Sequence, residues 1–400
     1  MMHSEDSVLY GGVDGTRDTI NALRSLRDML AGHTDRSKNV TLKADGAPAI
    51  FCGIVPAANE NAGEFFVAKK SLFNKTPKYY TTPEEVDADT SGDLAEKLKS
   101  GLRYLNGAIK ADAIFQGDFM YGEGDIETDT IDGVEYYTFQ PNTIVYAVPT
   151  DSELGKRIRK SRIGVIFHTR YEGASIEELS ASFDVNIERD FNDIPEVWAE
   201  DANIKDLSGT ATMTEKDTEE VTQALSVAGR IFQRISGSTL RELEKNPELA
   251  RQIEQFNNTF VRQGQRITDT AKHVNDLIDW FNDRFEKEAD KRKTQKGKDS
   301  QYAKRDELMQ FFSDSNKRNL KMMFDLQQAI VDAKLIIINK LDKLNDMSTF
   351  VRTSDGNYKV TGQEGYVAVD HLSNNAIKLV DRLEFSHNNF SADIVKSWQR

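Results

Sequence analysis

The sequence has few of the residues that would cross-link a fold or anchor it in a membrane. Cys52 is the only cysteine among 400 residues, which excludes an internal disulfide framework and a cysteine-based zinc site. The apolar run Ala333–Leu341 is too short to span a bilayer. The first residues have no basic segment followed by an apolar one, so we expect no signal peptide. We therefore expect a cytoplasmic protein with no membrane partner.

A deficit of positive charge excludes a further class of function. The chain carries 65 acidic and 52 basic residues, and its net charge of −13 argues against a protein that coats nucleic acid nonspecifically. A local basic groove on an acidic body remains compatible with this balance. The charged share of 29% and the hydrophobic share of 38% are typical of a globular protein, and 400 residues suggest two or three units.

Residues 1–175 predict an α+β unit with a mostly antiparallel sheet. Apolar residues at helical spacing predict helices over 15–32 and 93–105. Short β-rich runs separated by turn signals predict strands over 49–55, 64–69, 113–121, 134–139, 143–148 and 162–168.

The middle of the chain has a different character. Between residues 219 and 347 there is one proline, Pro247, and the apolar residues follow a helical period. β character returns at 358–360, 365–369 and 377–380. The sequence therefore predicts a sheet domain in two parts, residues 1–175 and 351–400, interrupted by a mainly helical insertion over residues 176–350.

One lysine stands in an unusual position. Lys43 ends a short apolar strand and is followed by Ala44-Asp45-Gly46-Ala47-Pro48, where turn formers are more common than a long cation. One interpretation is a surface lysine before a turn. The other is a nucleophile that attacks the α-phosphate of a nucleotide and holds the nucleoside monophosphate as a phosphoramidate, which requires a neutral amine.

Four later stretches place candidate site residues at or near predicted strands, and the first three also have a structural interpretation. Lys69 and Lys70 could contact phosphate or protect a sheet edge by charge. Asp118, after Gly117, could touch a ribose hydroxyl or a metal, or belong to a turn. Phe167 could stack on a base or fill the core. The last stretch contains Glu364 and Lys378.

Together these stretches resemble a known superfamily. Lys43-Ala44-Asp45-Gly46 resembles the first motif of the covalent nucleotidyltransferases, which include ATP-dependent DNA ligases, RNA ligases and mRNA capping enzymes. The other resemblances, in chain order, are Lys69-Lys70-Ser71 to the strand after the nucleophile, Phe115-Gln116-Gly117-Asp118 to the third motif, Val165-Ile166-Phe167 to the aromatic strand after it, Glu364-Gly365-Tyr366-Val367-Ala368 to the fourth motif in its phage RNA-ligase form, and Ala376-Ile377-Lys378 to the fifth.

The resemblance implies a ligase-type nucleotidyltransferase domain and an ATP-dependent polynucleotide ligase-like reaction. Lys43 would form lysyl-AMP and pass AMP to a 5′-phosphate end, with RNA favoured over DNA. It implies ATP and Mg²⁺ or Mn²⁺, with Asp118 and Glu364 as metal ligands, and Lys378 as a second catalytic residue that neutralises phosphate charge. The implied nucleotide-binding residues are Asp45, Gly46, Lys69, Lys70, Asp118, Phe167, Glu364 and Lys378.

The chain also departs from the superfamily pattern. The third motif usually carries glutamate where this chain has Asp118, and Val380 occupies the place of a second lysine in the fifth motif. Two alternatives therefore stay open: a nucleotidyltransferase that caps or modifies another acceptor, and a catalytically inactive ligase-fold phage protein used for binding or assembly. The stretches Lys43–Ala49, Thr138–Pro149 and Phe167-His168-Thr169 resemble an uncharacterised tailed-phage family. That resemblance covers about the first 175 residues and the last 40, and it suggests a viral source and the host cytoplasm.

A basic segment offers a candidate nucleic-acid contact. Residues 291–305 contain seven basic residues and one acid, Asp299, with Tyr302 among them. Such a composition fits a loop that follows the phosphates of nucleic-acid ends. It fits a solvated connection between helices as well. The oligomeric state is not indicated by the sequence.

Overall fold

The computed structural model describes residues 2–32, 39–110, 112–202, 213–370 and 375–399. The chain divides into two compact units, each built from three segments. Unit 1 comprises Met1–Lys38, Asp206–Lys343 and Val367–Phe390. Unit 2 comprises Asn39–Lys205, Leu344–Tyr366 and Ser391–Arg400. The protein is mixed α/β, and most of its strand pairs are antiparallel.

Strands and helices are numbered along the chain. The strands are β1 Met2–His3, β2 Asn39–Lys43, β3 Ala49–Ile54, β4 Phe65–Ala68, β5 Ile114–Tyr121, β6 Glu127–Ile131, β7 Val134–Phe139, β8 Val145–Pro149, β9 Ile163–Glu172, β10 Ser180–Ser182, β11 Val197–Asp201, β12 Ser348–Arg352, β13 Tyr358–Val360, β14 Gly365–Asp370 and β15 Asn375–Leu379. The helices are α1 Ser7–Tyr10, α2 Gly12–Leu30, α3 Pro83–Asp89, α4 Asp93–Leu105, α5 Glu153–Lys160, α6 Ile187–Asp190, α7 Glu215–Phe232, α8 Gly237–Lys245, α9 Pro247–Arg262, α10 Thr270–Asp290, α11 Gln295–Met309, α12 Asp314–Leu341 and α13 Arg382–Phe390.

The predicted helices over 15–32 and 93–105 are confirmed as α2 and α4, and all the strands predicted from β-rich runs are present. The boundaries of the compact units differ from the three predicted segments. Residues 2–32 group with the helices, and residues 176–202 group with the sheets. The short strand β11 lies in a segment rich in polar residues and was not predicted from the sequence. Its pairing with β9 is a long-range contact that local composition does not encode.

Unit 2 contains two sheets. The larger has the strand order β10-β9-β5-β3-β4, with β11 added parallel to β9, and the smaller has the order β13-β12-β8-β7-β6. One face of the larger sheet buries a core that includes Phe115, Phe119 and Phe167 together with residues of α4. A second core, which includes Tyr121, Tyr146 and Trp198, packs the two sheets of this unit together.

Unit 1 is mainly helical, with α12 as its longest helix. Helix starts are fixed by local hydrogen bonds. Thr214 and Asp217 form a reciprocal capping box at the start of α7, and Asn246 caps α9 directly before Pro247. In the interior of the unit, Lys334 donates to both carboxylate oxygens of Glu5 at 2.9 and 2.8 Å, so a helix of the middle segment is tied to the first residues of the chain.

The basic segment 291–305 is largely helical rather than a loop. Helix α11 begins at Gln295, and several of the cations nearby are paired with acids: Lys291 with Glu288 at 2.6 Å and Lys298 with Asp290 at 3.5 Å. None of the helices in the described part of the chain combines the length and apolar character that a bilayer crossing needs.

Candidate active site

The turn that follows Lys43 is held on both sides by backbone and side-chain hydrogen bonds. We call residues 44–48 the Lys43 loop; it connects β2 to β3. Ala47 N–H donates to the carbonyl of Phe119 at 3.0 Å, and Phe119 N–H donates back to the carbonyl of Pro48 at 3.1 Å. Lys97 of α4 donates to the carbonyl of Ala47 at 3.1 Å. The loop is therefore fixed to the end of β5 and to the helix that covers the sheet.

Asp45 anchors the same loop to the β7–β8 turn. Its carboxylate accepts hydrogen bonds from the side-chain amide of Asn142 at 2.7 Å and from the backbone N–H groups of Thr143 and Ile144, both at 2.8 Å. Its own N–H donates to the phenolic oxygen of Tyr146 at 2.7 Å. Burial raises the pKa of Asp45 although these three hydrogen bonds act in the opposite direction. The carboxylate thus positions the loop, rather than pointing toward a ligand.

Gly46 permits a close approach between the loop and Asp118. A β-carbon added at Gly46 would lie 2.5 Å from the β-carbon of Asp118 and 3.0 Å from the carbonyl oxygen of Phe119. A side chain at this position would push the loop away from β5. The Asp-Gly pair after Lys43 therefore serves two packing needs: Asp45 fastens the loop and Gly46 lets it touch the strand that carries Asp118.

The contact that defines the site joins two distant parts of the sequence. The ammonium group of Lys43 is hydrogen-bonded and ion-paired to the carboxylate of Glu364, 321 positions later in the chain. The Lys43 side chain is 31% exposed, whereas that of Glu364 is 10% exposed. A partly exposed lysine is thus oriented by a nearly buried acid.

Asp118 completes an electrostatic group around Lys43. Burial raises the pKa of Asp118 to about 7, the negative charges of Glu364 and Asp45 act in the same direction, and the positive charge of Lys43 opposes them. His168 belongs to the same group, because burial and the charge of Lys43 lower its pKa to about 4. The structure therefore brings together Lys43, Asp45, Gly46, Asp118 and Glu364, all of which were predicted from the sequence.

The other predicted residues have varied surroundings. Phe167 is fully buried in the core, with its ring centroid 4.7 Å from that of Phe191, on the face of the sheet opposite to Asp118; it offers no ring surface to a base. Lys69 pairs with Asp89 at 3.0 Å, and Lys70 is exposed. Lys378 belongs to unit 1, in β15, where it is in register with His3 of β1.

One lysine in unit 2 was not singled out from the sequence. Lys396 is 5% exposed, and burial lowers its pKa while the nearby charge of Asp45 acts to raise it. The next residue, Ser397, donates its N–H to the carbonyl of Asn142 at 2.9 Å, and Asn142 in turn donates to Asp45. The available signal was the apolar pair Ile394-Val395 directly before this lysine, which indicates a buried segment near the end of the sequence.

The chemistry of the carboxylates fits a divalent cation bound together with a triphosphate. Mg²⁺ is usually held by one or two carboxylates plus substrate phosphates and water, so Asp118 and Glu364 match that donor set. A bound cation would also favour the ionised form of Asp118, which burial disfavours. Within the described ranges, no group of three or more His, Cys, Asp or Glu side chains is arranged to hold a metal by protein ligands alone.

Comparison with known proteins places the chain in a family. Residues 1–394 match the model of a family of unknown function, DUF6267, and the chain therefore belongs to that family. No curated protein and no solved structure matches the chain.

Proposed function

We propose that this member of DUF6267 is a covalent nucleotidyltransferase whose nucleophile is Lys43, and that it acts as an ATP-dependent polynucleotide ligase-like enzyme. The single observation that carries the proposal is the contact of Lys43 with Glu364 beside the half-buried Asp118. The three residues come from the first, fourth and third motif-like stretches. A nucleotide-transfer site requires these three side chains to lie together in one unit. A surface lysine before a turn would not require either carboxylate beside it.

In the first half-reaction, the nitrogen of Lys43 attacks the α-phosphorus of ATP. A nitrogen–phosphorus bond forms, the bond from the α-phosphorus to the bridging oxygen breaks, and pyrophosphate leaves with the electron pair. The amine must first lose a proton to solvent, and the carboxylate of Glu364, which is hydrogen-bonded to it, orients the nitrogen. A divalent cation held by Asp118 and Glu364 would supply charge neutralisation at the phosphate oxygens.

A second cation is needed where negative charge accumulates on the phosphates. The sequence resemblance assigned this role to Lys378. In our proposal Lys378 keeps this role and Lys396 contributes to it as well, because Lys396 lies near Asp45 on a segment that is fastened to the same Asn142. In the second half-reaction AMP passes from Lys43 to a 5′-phosphate at a nucleic-acid end, and a 3′-hydroxyl then displaces AMP.

The test is covalent labelling. The protein is incubated with α-labelled ATP or GTP and Mg²⁺ or Mn²⁺, denatured, and examined for acid-labile, alkali-stable label. We expect label from ATP on the wild type and none on Lys43→Arg, a control that keeps a cation for Glu364 but removes the nucleophilic amine. We also expect Lys396→Ala and Lys378→Ala each to lose most of the label.

The outcomes separate the remaining functions. Label on the wild type followed by joining of RNA or DNA ends supports a ligase. Label without joining supports transfer to another acceptor. Equal label on wild type and Lys43→Arg, or none on either, excludes the lysyl-AMP reaction and leaves a role in binding or assembly.

A further inference from the structure

A second basic segment, Lys69–Tyr80, stands out in this acidic protein. It contains four lysines and three aromatic residues and has no acid, although the whole chain has a net charge of −13. It follows β4 in unit 2 and begins with a short 3₁₀ turn, Lys70–Phe73. Interleaved cations and aromatic rings are typical of surfaces that bind single-stranded nucleic acid.

The segment has a defined shape, because both of its ends are fixed. Val67 and Tyr80 exchange two backbone hydrogen bonds of 2.9 Å, and Lys78 N–H donates to the carbonyl of Ser71 at 3.2 Å. Leu72 is fully buried in the core beneath. The backbone of the turn is therefore fixed, and its exposed side chains extend from that fixed backbone.

Phe73 is the exposed ring of this turn. It is 48% exposed, yet its ring centroid lies 5.2 Å from that of Phe51 and 5.3 Å from that of Tyr171. These two contacts hold the ring in one orientation while about half of its surface faces water. An apolar ring that is both held and exposed is prepared to stack on a ligand at small entropic cost.

The ring lies on the same face of the sheet as Asp118. Ala49 is in register with Asp118, and Phe51, two residues further along β3, is in register with Gln116. Residues two apart in a strand point to the same face and are separated by about 7 Å. Phe51, which contacts Phe73, is thus about 7 Å along the sheet from the position of Asp118.

The lysines of the segment fall into two groups. Lys69 and Lys78 both pair with Asp89. Lys70 and Lys75 are exposed, and among the described residues neither forms an ion pair with a carboxylate. This differs from segment 291–305, where acids neutralise several of the lysines. Two unneutralised cations therefore flank the exposed ring.

We propose that Lys70, Phe73 and Lys75, the Phe73 surface, bind the single-stranded acceptor nucleic acid, with one nucleobase stacked on Phe73 and backbone phosphates at the two lysines. The inference rests on the proposed function and specifies which face holds its acceptor. Charge complementarity favours a polyanion, and the oriented ring favours one that carries bases over an acidic protein segment.

The experiment measures binding of a short single-stranded oligonucleotide with a 5′-phosphate to the full chain at several salt concentrations. We expect Phe73→Ala to weaken binding by about 5- to 150-fold, the range for loss of one base–aromatic stack, and Phe73→Trp to restore it. Lys70→Gln with Lys75→Gln should lower the slope of log K against log salt by about 1.4, or about 0.7 for each phosphate contact with a single strand.

Matched controls come from the same chain. Lys293→Gln with Lys296→Gln removes two cations from segment 291–305, and Phe390→Ala removes a ring that is 69% exposed in unit 1. Both should leave binding and its salt slope unchanged. An unchanged affinity in Phe73→Ala overturns the proposal. So does binding of inorganic polyphosphate that is as tight as that of the oligonucleotide, since an acidic partner would then suffice.

Labelling of Lys43 keeps the two proposals distinguishable. Phe73→Ala should leave the rate of lysyl-AMP formation and the KM for ATP unchanged, because the surface binds the acceptor and not ATP. A raised KM for ATP with unchanged oligonucleotide affinity would assign the ring to the base of ATP and overturn the inference. If the wild type binds the oligonucleotide through Phe73 but never forms lysyl-AMP, the Phe73 surface stands and the proposed enzymatic function fails.

Discussion

Replacing Asp45 with alanine should loosen the Lys43 loop by a predictable amount. The change removes the acceptor for the N–H groups of Thr143 and Ile144 and for the side chain of Asn142. Thr143 and Ile144 are 1% and 4% exposed, so water cannot easily take the place of the carboxylate. Each buried donor left without an acceptor costs about 1–3 kcal/mol. Burying the carboxylate itself costs free energy, and the substitution removes that cost, which offsets part of the loss. We therefore expect the free energy of unfolding to fall by about 3 kcal/mol in total.

Asp45→Asn is the matched control. The amide oxygen can accept from both backbone N–H groups, and the amide nitrogen can donate to Asn142 once the Asn142 amide is turned over, so all three hydrogen bonds persist. We expect a cost of no more than about 1 kcal/mol, because one charge-assisted acceptor is replaced by a neutral one.

The assay is amide hydrogen exchange at residues 143–144 combined with urea unfolding of the full chain. In Asp45→Ala, protection of these two amides should fall by about 100-fold, the equivalent of about 3 kcal/mol. Labelling of Lys43 should fall with it, whereas Asp45→Asn should keep both. Unchanged protection in Asp45→Ala, or equal damage from the two substitutions, would refute the view that the carboxylate acts by fastening the loop.

Three further predictions concern packing, buried charge and pH. Gly46→Ala should reduce lysyl-AMP formation about 100-fold, because the new methyl group displaces the loop by roughly 1 Å; Gly107→Ala, where a β-carbon meets no atom within 4 Å, should not. Lys334→Met should lower the free energy of unfolding by about 3–5 kcal/mol, as followed by far-UV circular dichroism in urea. The reason is that the buried Glu5 loses its closest cation and keeps the more distant Arg382 at 3.6 Å. Adding Glu5→Gln should recover most of the loss. Since burial raises the pKa of Asp118 to about 7, the carboxyl is protonated below that pH, and the Mg²⁺ concentration for half-maximal labelling should fall as pH rises through 7. Asp118→Asn should remove this pH dependence, and a dependence that survives the substitution would assign it to another group.

Part of the candidate site could be found from the sequence because its residues stand in local patterns. A lysine at the end of an apolar strand, with Asp-Gly after it, can be recognised from a few neighbouring residues. Strand and helix positions follow in the same way from periodicity, as α4 and β7 show. The alternation of side chains along β5 could also have indicated that Asp118 and Phe115 face opposite sides of the sheet.

Other features depended on contacts between distant residues. Lys396 looked like an ordinary lysine near the end of the sequence until its segment was found against the β7–β8 turn, beside Asp45. Phe167 lies in an apolar strand whether it fills the core or faces a ligand, and only the register of β9 with β5 assigns it to the core. The short strand β11 could not be predicted either, because it is defined by its pairing with the distant strand β9.

The sequence by itself determined the kinds of secondary structure, the absence of disulfides and the identity of the unusual lysine, because these depend on composition and on neighbours a few residues away. Tertiary structure alone decided that Lys43 meets Glu364, that Asp45 is an anchor, and that residues 2–32 group with the helices. The physical reason is that each of these depends on pairing and burial across tens to hundreds of residues. A local pattern can permit such contacts, but it cannot select among them.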